Sequence, residues 1–448
     1  MIRTLLESKI VTHQPGLVCI PSARVPQPHY VILLDLYSNR EIYLSAPTAA
    51  GSGARTGLRV GLTLSGLPLY SCQGDPYGSM GVSLFTTMTT NPFLERDSSV
   101  RSLNRARVTA LPELAGDGKA ATGSELLSAQ AFRRELVRWS SELDLDLAGK
   151  DLVMQLCDCF DDSTRGSAAR QLSRDYGRKL GLLLLTLKRG APADRALRPE
   201  WDDAHWEYWR QLTTFIVGGG MVNGKLGQYA MPAAQEVFAE QGHTDVRVIQ
   251  SEYGACLPLV GLARTAPASA EELVVLDFGH SFIKRGLAKL QGGELVGLDI
   301  HPPSPTVCTH PADPSPPAVR ERWHRMRSII VETWRARGTG GTPAIAISLP
   351  TYLVDGCPFR DDKGWYGALQ VLAPDLSTFM QDDIVSQVQA DVAVNLFHDG
   401  TAAALAYAGC ANCVVLTLGT AIGCGYVPAE TGYRPMRDPL EIHRAGAG

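Results

Sequence analysis

The stretch that organises the rest of the chain is Val274-Val-Leu-Asp277-Phe-Gly279-His-Ser281-Phe-Ile-Lys284-Arg-Gly286. An apolar run ends at an acidic residue, a turn of small and polar residues follows, and a second strand-like run begins. Such a turn can present backbone N–H groups and the Ser281 hydroxyl to a phosphate, with the Asp277 carboxylate beside them to hold a metal ion. A β-hairpin with an ordinary polar turn has the same pattern. Matching parts elsewhere in the chain must therefore decide between the two interpretations.

Length and composition are those of an ordinary globular protein. The 448 residues suffice for two or three domains, and 45% of them are apolar while 20% are charged. The net charge of −4 is mild, and no cluster of lysine and arginine resembles a nucleic-acid footprint. We therefore expect no nucleic-acid partner.

Targeting signals and hydropathy favour a cytoplasmic protein with no membrane partner. The N-terminal segment, residues 1–9, lacks the apolar core of a signal peptide. The longest aliphatic run, Leu180–Leu187, is far too short to span a bilayer.

The ten cysteines are scattered along the chain, which is typical of reduced thiols in a cytosolic enzyme. Two close pairs exist, Cys157/Cys159 and Cys410/Cys413, and neither has further ligands at the spacing of a zinc site. Both pairs are predicted to be buried free cysteines.

The first half of the chain carries no clear functional signal. Two strand-like runs around Ser38-Asn39 predict a hairpin near the N-terminus. Residues 122–190 have helical periodicity and begin with a cap-like threonine, Thr122. Residues 190–208 contain prolines and tryptophans and are interpreted as a surface loop with aromatic anchors.

Glycines follow a buried strand in Thr214-Phe-Ile-Val-Gly218-Gly219-Gly220. Consecutive glycines in this position allow a flat ring or a phosphate to approach the backbone closely. A tight strand–helix turn would look the same, and this segment alone does not separate the two.

Two later segments supply the matching parts. In the first, Asp391–Ala406, a strand enters a small-residue helix with Asp399 at the junction. In the second, Val414–Val427, a strand turns through Gly419-Thr420 and returns as another strand. The alternation of strands and helices across 212–428 predicts an α/β fold.

Taken together, these motifs resemble the actin/hexokinase/Hsp70 superfamily of ATPases, and most closely the ROK family of bacterial sugar kinases. The segments that carry the resemblance are a first phosphate loop at Asp277–Gly286, a catalytic segment at His398–Ala406, a second phosphate loop at Leu416–Val427, an adenosine motif at Ile216–Gly220 and a sugar-side loop at Asp362–Trp365. The resemblance covers about 120–448.

The order of the motifs differs from that of the family, because the adenosine glycines precede the first phosphate loop. The resemblance therefore implies a two-lobed, actin-like (ribonuclease H-like) ATPase fold with a cleft between the lobes and a circularly permuted chain. The implied segments are 1–120, a β-rich part that completes the lobe of the second phosphate loop; 121–270, helices and the adenosine motif; 271–400, the lobe of the first phosphate loop and the catalytic aspartate; and 401–448, the second phosphate loop, returning to the other lobe.

The resemblance also implies the chemistry of a kinase that uses ATP and Mg²⁺. Asp399 would be the general base and Asp277 the magnesium ligand, directly or through water. Lys284 is either a phosphate contact or a solvated side chain. The remaining implied contacts are Gly279, Ser281, Gly419, Thr420 and Gly423 with the phosphates, Gly218, Gly219 and Gly220 with adenosine, and His398, Asp362 and Trp365 with the substrate.

Departures from the family pattern fall mainly on the substrate side. His280 replaces a glycine of the first loop and His398 replaces the asparagine before the catalytic aspartate, while the ExGH motif is only echoed at Glu441-Ile-His443. The family's cysteine-rich zinc motif is missing. A sugar or cyclitol is the implied substrate, a non-sugar hydroxyl stays open, and the resemblance allows a homodimer. The alternatives are a non-catalytic nucleotide- or sugar-binding regulator (a pseudokinase) and an ATPase coupled to another process.

Overall fold

A computed structural model of the protein describes five short backbone segments before residue 61 and most of the chain after residue 101. The described residues are 11–14, 17–19, 31–35, 42–45, 58–60, 92–94, 102–109, 120–148, 152–308, 313–338, 343–354, 356–358, 364–429 and 432–444. The chain divides into two compact units, Met1–Met88 and Thr89–Gly448.

The first unit contains an antiparallel sheet. Its strands are β1 (Val11–Gln14), β2 (Leu17–Cys19), β3 (Val31–Asp35), β4 (Ile42–Ser45) and β5 (Leu58–Val60). They pair in sequence order, and the register of β3 against β4 confirms the predicted hairpin.

The second unit contains the remaining strands and all the described α-helices. The strands are β6 (Arg107–Val108), β7 (Ala121–Thr122), β8 (Thr214–Gly218), β9 (Arg247–Gln250), β10 (Glu272–Phe278), β11 (Phe282–Gln291), β12 (Glu294–Ile300), β13 (Ser304–Pro305), β14 (Ala344–Leu349), β15 (Leu353–Val354), β16 (Cys357–Pro358), β17 (Ala393–His398), β18 (Cys413–Leu418), β19 (Ile422–Tyr426) and β20 (Met436–Arg444). The helices are α1 (Gly123–Leu127), α2 (Ala129–Arg138), α3 (Ser140–Leu143), α4 (Leu152–Cys159), α5 (Gly166–Arg189), α6 (Pro192–Ala196), α7 (Asp203–Gln211), α8 (Lys225–Glu240), α9 (Leu257–Ala263), α10 (Pro316–Arg335), α11 (Leu376–Val388) and α12 (Asp399–Leu405).

The larger sheet has the strand order β17-β14-β10-β11-β12-β20, with β13 beside β11. Its centre is the antiparallel hairpin β10–β11, and β14 and β17 run parallel to β10 on one side. Helices α10 and α11 cover one face and enclose an apolar core that includes Val274, Ile345 and Trp323. The hairpin turn lies where the parallel strands end.

The smaller sheet has the same arrangement of strands as the centre of the larger one. Its order is β19-β18-β8-β9, in which β18–β19 is an antiparallel hairpin and β8 and β9 run parallel to β18. The hairpin comes first along the chain in the larger sheet but last in the smaller one. Long helices α5 and α8 pack with the smaller sheet around Leu180, Phe215 and Phe238. The described residues therefore confirm the predicted α/β class.

Two helices lie in the apolar core shared by the sheets. This core joins Ile216 and Val415 of the smaller sheet to Val275 of the larger one, together with residues of α9 and α12. The two helices touch through backbone, because a Cβ atom on Gly261 would lie 1.7 Å from the carbonyl oxygen of Ala402. Helix α12 is thereby held between the sheets, and it begins at Asp399.

The helical predictions for 122–190 are confirmed, including the cap at Thr122, which forms a capping box with Glu125. The surface loop predicted at 190–208 is wrong. Helix α7 begins there because the Asp202 side chain accepts the N–H groups of Ala204 and His205, and Trp201, Trp206 and Trp209 are buried.

The prediction that the cysteine pairs are free and buried is also wrong. Cys410 and Cys413 form a disulfide with a Cα–Cα distance of 5.9 Å, and Cys410 is exposed. Asn412 has a φ of 52°, and this turn of the backbone brings the two residues together. Of the other pair, Cys159 is buried but Cys157 is exposed.

A helix that spans a bilayer needs about 20 predominantly apolar residues, and the described helices include none that meets this requirement.

Candidate active site

A cleft of about 330 Å³ opens where the parallel strands of both sheets end. Ligands of α/β proteins commonly bind at this edge, because strand ends deliver loops and side chains to one place. The cleft brings together these predicted residues: Asp277, Gly279, Ser281, His398, Asp399, Gly219, Gly220, Gly419, Thr420 and Gly423.

Three predicted residues are not among those that line the cleft. Gly218 lies one position behind it, where a Cβ atom would meet the Leu257 side chain at 2.7 Å. Trp365 is buried in the core of the larger sheet, with the Arg322 guanidinium 4.7 Å from its ring centre. Asp362 lies outside the described residues.

The turn of the first predicted phosphate loop, residues 279–281, is anchored through one carbonyl. The oxygen of Gly279 accepts hydrogen bonds from the hydroxyls of Thr306 and Tyr366, each at 3.2 Å. Because a trans peptide is planar, the N–H of His280 points opposite to that carbonyl, away from the anchoring hydroxyls. The two hydrogen bonds therefore fix the orientation of the peptide between Gly279 and His280.

The turn of the second predicted phosphate loop, residues 419–421, is anchored in the same way. The Gly419 carbonyl accepts the N–H of Ala129 at 2.8 Å, so the N–H of Thr420 points in the opposite direction. The Asn104 side chain holds the end of the loop, since it accepts the Ile422 N–H and donates to the Ile422 carbonyl, both at 2.9 Å.

Both loops leave backbone donors available for an anion. Within the described part of the chain, no hydrogen bond uses the N–H of Ser281, Thr420 or Ala421. Successive N–H groups in a turn form a concave anion site. A Cβ atom on Gly419 would meet no atom within 4 Å, so its Cα faces open space.

Replacing Asn104 with alanine is expected to weaken the second loop without unfolding the protein. The change removes two hydrogen bonds to partly buried backbone groups, at a cost of about 1–3 kcal/mol in the free energy of unfolding. Calorimetry should show that an ATP analogue binds about tenfold more weakly, because the end of the loop is no longer held in position. Asn395→Ala is the matched control, since Asn395 is exposed on β17; equal analogue affinity in both variants would contradict the anchor.

Asp277, one of the two aspartates in the cleft, forms an ion pair with Lys284. Lys284 Nζ lies 2.7 Å from Asp277 Oδ2, and the Ser348 hydroxyl donates to Asp277 Oδ1 at 2.8 Å. Burial lowers the pKa of Lys284, but the carboxylates of Asp277 and Asp399 outweigh burial and raise it above its ordinary value. Lys284 therefore stays charged, and it lines the cleft beside Asp277.

The second carboxylate, Asp399, is in a different environment. Burial and the neighbouring charge of Asp277 raise the pKa of Asp399 to about 7, although the Gly400 N–H and Lys284 act in the opposite direction. The side chain keeps 28% of its surface accessible. A carboxylate with this pKa can take a proton near neutral pH, as general-base catalysis requires.

The raised pKa of Asp399 makes stability depend on pH. Its unfolded pKa is near 3.8 and its folded pKa near 7, so the stability that it contributes is full below about pH 4 and is lost as the pH rises through 7. Relative to Asp399→Asn, the wild type should lose roughly 2–3 kcal/mol in the free energy of unfolding between pH 5 and pH 8. Denaturant titrations at both pH values measure this; Asp391→Asn, at an exposed residue, is the control, and parallel curves for Asp399→Asn and wild type would contradict the assignment.

Sequence reasoning missed the residues that hold the loops and carboxylates. Asn104 lies in the segment without a recognised motif, and Thr306 and Tyr366 lie outside every motif of the resemblance. Ser348 stands one residue before the end of β14, at the same sheet edge as Asp277. The position of Ser348 next to the last residue of a buried parallel strand is the one feature of the sequence that could have indicated its role.

No family model matches the chain, and no curated protein is significantly similar to it.

Proposed function

We propose that the protein transfers the γ-phosphoryl group of ATP to a hydroxyl group of a sugar or sugar-like small molecule. One observation carries the proposal. Two anchored hairpin loops with available N–H donors line one cleft, together with a carboxylate whose pKa is near 7. An anion cradle and a general base in one cleft are the two parts that phosphoryl transfer needs.

The topology supports an actin-like interpretation. In each sheet, the first strand of the antiparallel hairpin lies between the second hairpin strand and two further strands that run parallel to it. This repetition suits a two-lobed, ribonuclease H-like ATPase of the kind found in ROK sugar kinases. The reversed chain order of the smaller sheet suits the circular permutation, and Asn104 ties residues before 120 to β19. The proposed boundaries at 120, 270 and 400 stay a prediction.

The chemical step uses residues of this chain in defined roles. Asp399 takes the proton of the acceptor hydroxyl, whose oxygen forms a bond to the γ-phosphorus while the bond to the β–γ bridging oxygen breaks. The N–H groups of Ser281 and Thr420 donate to phosphate oxygens, and Lys284 balances their charge. Donors fixed before the reaction stabilise the transition state without reorganising.

The residues present fit Mg²⁺ held through its water shell. Both oxygens of Asp277 already have a partner, Ser348 or Lys284, but each keeps a lone pair that a metal-bound water can use. The described residues contain no group of three or more His, Cys, Asp and Glu that could hold a metal by themselves, and Mg²⁺ is usually completed by water and substrate phosphates. When bound, the ion would neutralise phosphate charge.

The test is a panel of sugars, cyclitols and simple alcohols incubated with ATP, Mg²⁺ and the purified protein. Release of ADP is measured with and without each acceptor. We expect one acceptor class to raise ADP release well above the rate with water alone. ADP release that no acceptor changes would indicate an ATPase, and binding of ATP without turnover would indicate a pseudokinase; either result overturns the proposal.

A further inference from the structure

A disulfide closes the turn that connects helix α12 to strand β18. It joins Cys410 to Cys413, the first residue of the strand, with only Ala411 and Asn412 between them. Asn412 has a φ of 52°, in the left-handed region that asparagine adopts more readily than most residues. The backbone of the turn is therefore folded so that the two cysteines meet.

The two cysteines of this disulfide differ in exposure. Cys410 is exposed, as are its neighbours Gly409, Ala411 and Asn412, whereas Cys413 keeps only 2% of its surface accessible. In thiol–disulfide exchange a thiolate attacks one of the two sulfurs, and access helps to decide which one. A thiol from outside the protein should therefore reach the disulfide at Cys410.

The charges around the turn also favour an incoming thiolate. Residues 400–429 contain no aspartate, glutamate, lysine or arginine, so the turn's own segment carries no charge that would repel a thiolate. A guanidinium approaches from the end of α9, where Arg264 Nη1 donates to the carbonyl oxygen of Ala408 at 3.3 Å. Ala408 lies two residues before Cys410, and a neighbouring positive charge stabilises a thiolate.

Contacts other than the disulfide also hold the two ends of the turn. The carbonyl oxygen of Asn412 accepts the N–H groups of Thr213 and Thr214, at 3.0 and 3.1 Å. The Gly409 N–H donates to the Pro428 carbonyl at 3.0 Å, and β18 is paired on both sides, with β8 and β19. A disulfide stabilises a protein least when the loop that it closes is short. The protein should therefore stay folded when this disulfide is reduced.

We propose that Cys410 and Cys413 form a reversible thiol–disulfide exchange site whose reaction partner is a dithiol. A thiolate of the dithiol attacks Cys410 Sγ and forms a mixed disulfide, while the bond to Cys413 breaks and Cys413 leaves with the electron pair and takes up a proton. The second thiol of the dithiol then displaces Cys410. The products are two protein thiols and an oxidised, cyclic dithiol. This inference does not rest on the proposed function.

Reduction should loosen the connection between two elements that reach the cleft. Helix α12 begins at Asp399 and leads into the turn, and β18 leads from the turn to Gly419. In the reduced protein, the backbone amides of residues 406–412 should exchange with solvent at least tenfold faster, while those of β18 keep their protection. Hydrogen exchange read by mass spectrometry measures this, and equal exchange in both redox states would contradict it.

The main experiment is a redox titration of the full chain, in which thiols are alkylated and assigned by mass spectrometry of peptides. We expect Cys410 and Cys413 to form a disulfide in oxidised glutathione and two thiols in dithiothreitol, with the same circular dichroism spectrum in both. The exposed Cys157 is the internal control for alkylation. Two free thiols in oxidised glutathione, or a disulfide that dithiothreitol opens only after the protein unfolds, would overturn the inference.

Two serine variants test which sulfur is attacked. In Cys413→Ser, no second thiol can displace a thiol bound to Cys410, so oxidised glutathione should leave a stable adduct there. In Cys410→Ser, the remaining Cys413 is buried, and its adduct should form at least tenfold more slowly. Equal rates in the two variants would overturn the assignment of Cys410 as the attacked residue. If either variant does not fold, the titration of the wild type still decides the inference.

Discussion

Replacing Asp399 with asparagine is expected to lower kcat for acceptor phosphorylation by about 10³-fold, which is the usual contribution of a general base. The substitution keeps the size and shape of the side chain but removes its ability to take a proton. In free-energy terms the loss is about 4 kcal/mol of transition-state stabilisation. Steady-state kinetics at saturating ATP measures it.

Nucleotide binding and stability are the controls for this variant. The phosphate loops do not depend on Asp399, so the Kd for an ATP analogue should stay close to that of the wild type. The free energy of unfolding at pH 8 should rise, because a buried negative charge near Asp277 is removed. Turnover similar to that of the wild type would show that another group takes the proton.

The second large effect is expected from two glycines of one hairpin. A Cβ atom on Gly425 would lie 1.7 Å from the carbonyl oxygen of Gly400, which belongs to helix α12. Relief of this steric overlap requires a shift of the backbone, so Gly425→Ala should cost more than about 3 kcal/mol in the free energy of unfolding. The shift of α12 would also displace Asp399.

Gly419→Ala is the matched variant, because a Cβ atom there would meet nothing within 4 Å. Its free energy of unfolding should change by less than about 0.5 kcal/mol. The new methyl group would project into the cleft, where phosphate must approach the loop, and the affinity for an ATP analogue should fall at least tenfold. Denaturant titration and calorimetry on both variants measure these effects. A stable Gly425→Ala protein, or a Gly419→Ala protein that binds the analogue normally, would contradict this geometry.

Short motifs predicted the centre of the site because each is a local pattern at the end of a strand. Asp277, Asp399 and the turn at Gly419 each follow an apolar run, and the alternation of strands with helices places such ends at one edge of a sheet. The α/β class follows from the same alternation. The resemblance then predicted that these turns share a cleft, and the structure brings them together.

The supporting contacts could not be predicted, because they join residues far apart in the chain. Asn104 reaches Ile422 across 318 positions, and Tyr366 reaches Gly279 across 87. No periodicity or spacing encodes such pairs. By analogy with an asparagine, the resemblance predicts that His398 contacts the substrate. Its orientation depends on the Tyr352 ring and on the absence of a side chain at Gly400.

Local patterns also failed where packing outweighed composition. Prolines and tryptophans at 190–208 suggested a loop, but the tryptophans are buried and the Asp202 cap starts a helix. Packing also outweighed the prediction for Trp365, which was expected to contact the substrate. The Arg322 guanidinium lies over its ring, and the side chain is buried in the core. Its neighbour Tyr366 instead donates a hydrogen bond to the Gly279 carbonyl.

We propose that this cleft transfers a phosphoryl group with Asp399 as the base. The most direct test follows the γ-phosphate of labelled ATP into the acceptors of the panel, with wild type and Asp399→Asn side by side at pH 8. We expect labelled acceptor with the wild type and about 10³-fold slower labelling with the variant. Labelling at equal rates in both proteins, or no labelled acceptor with either, would contradict it.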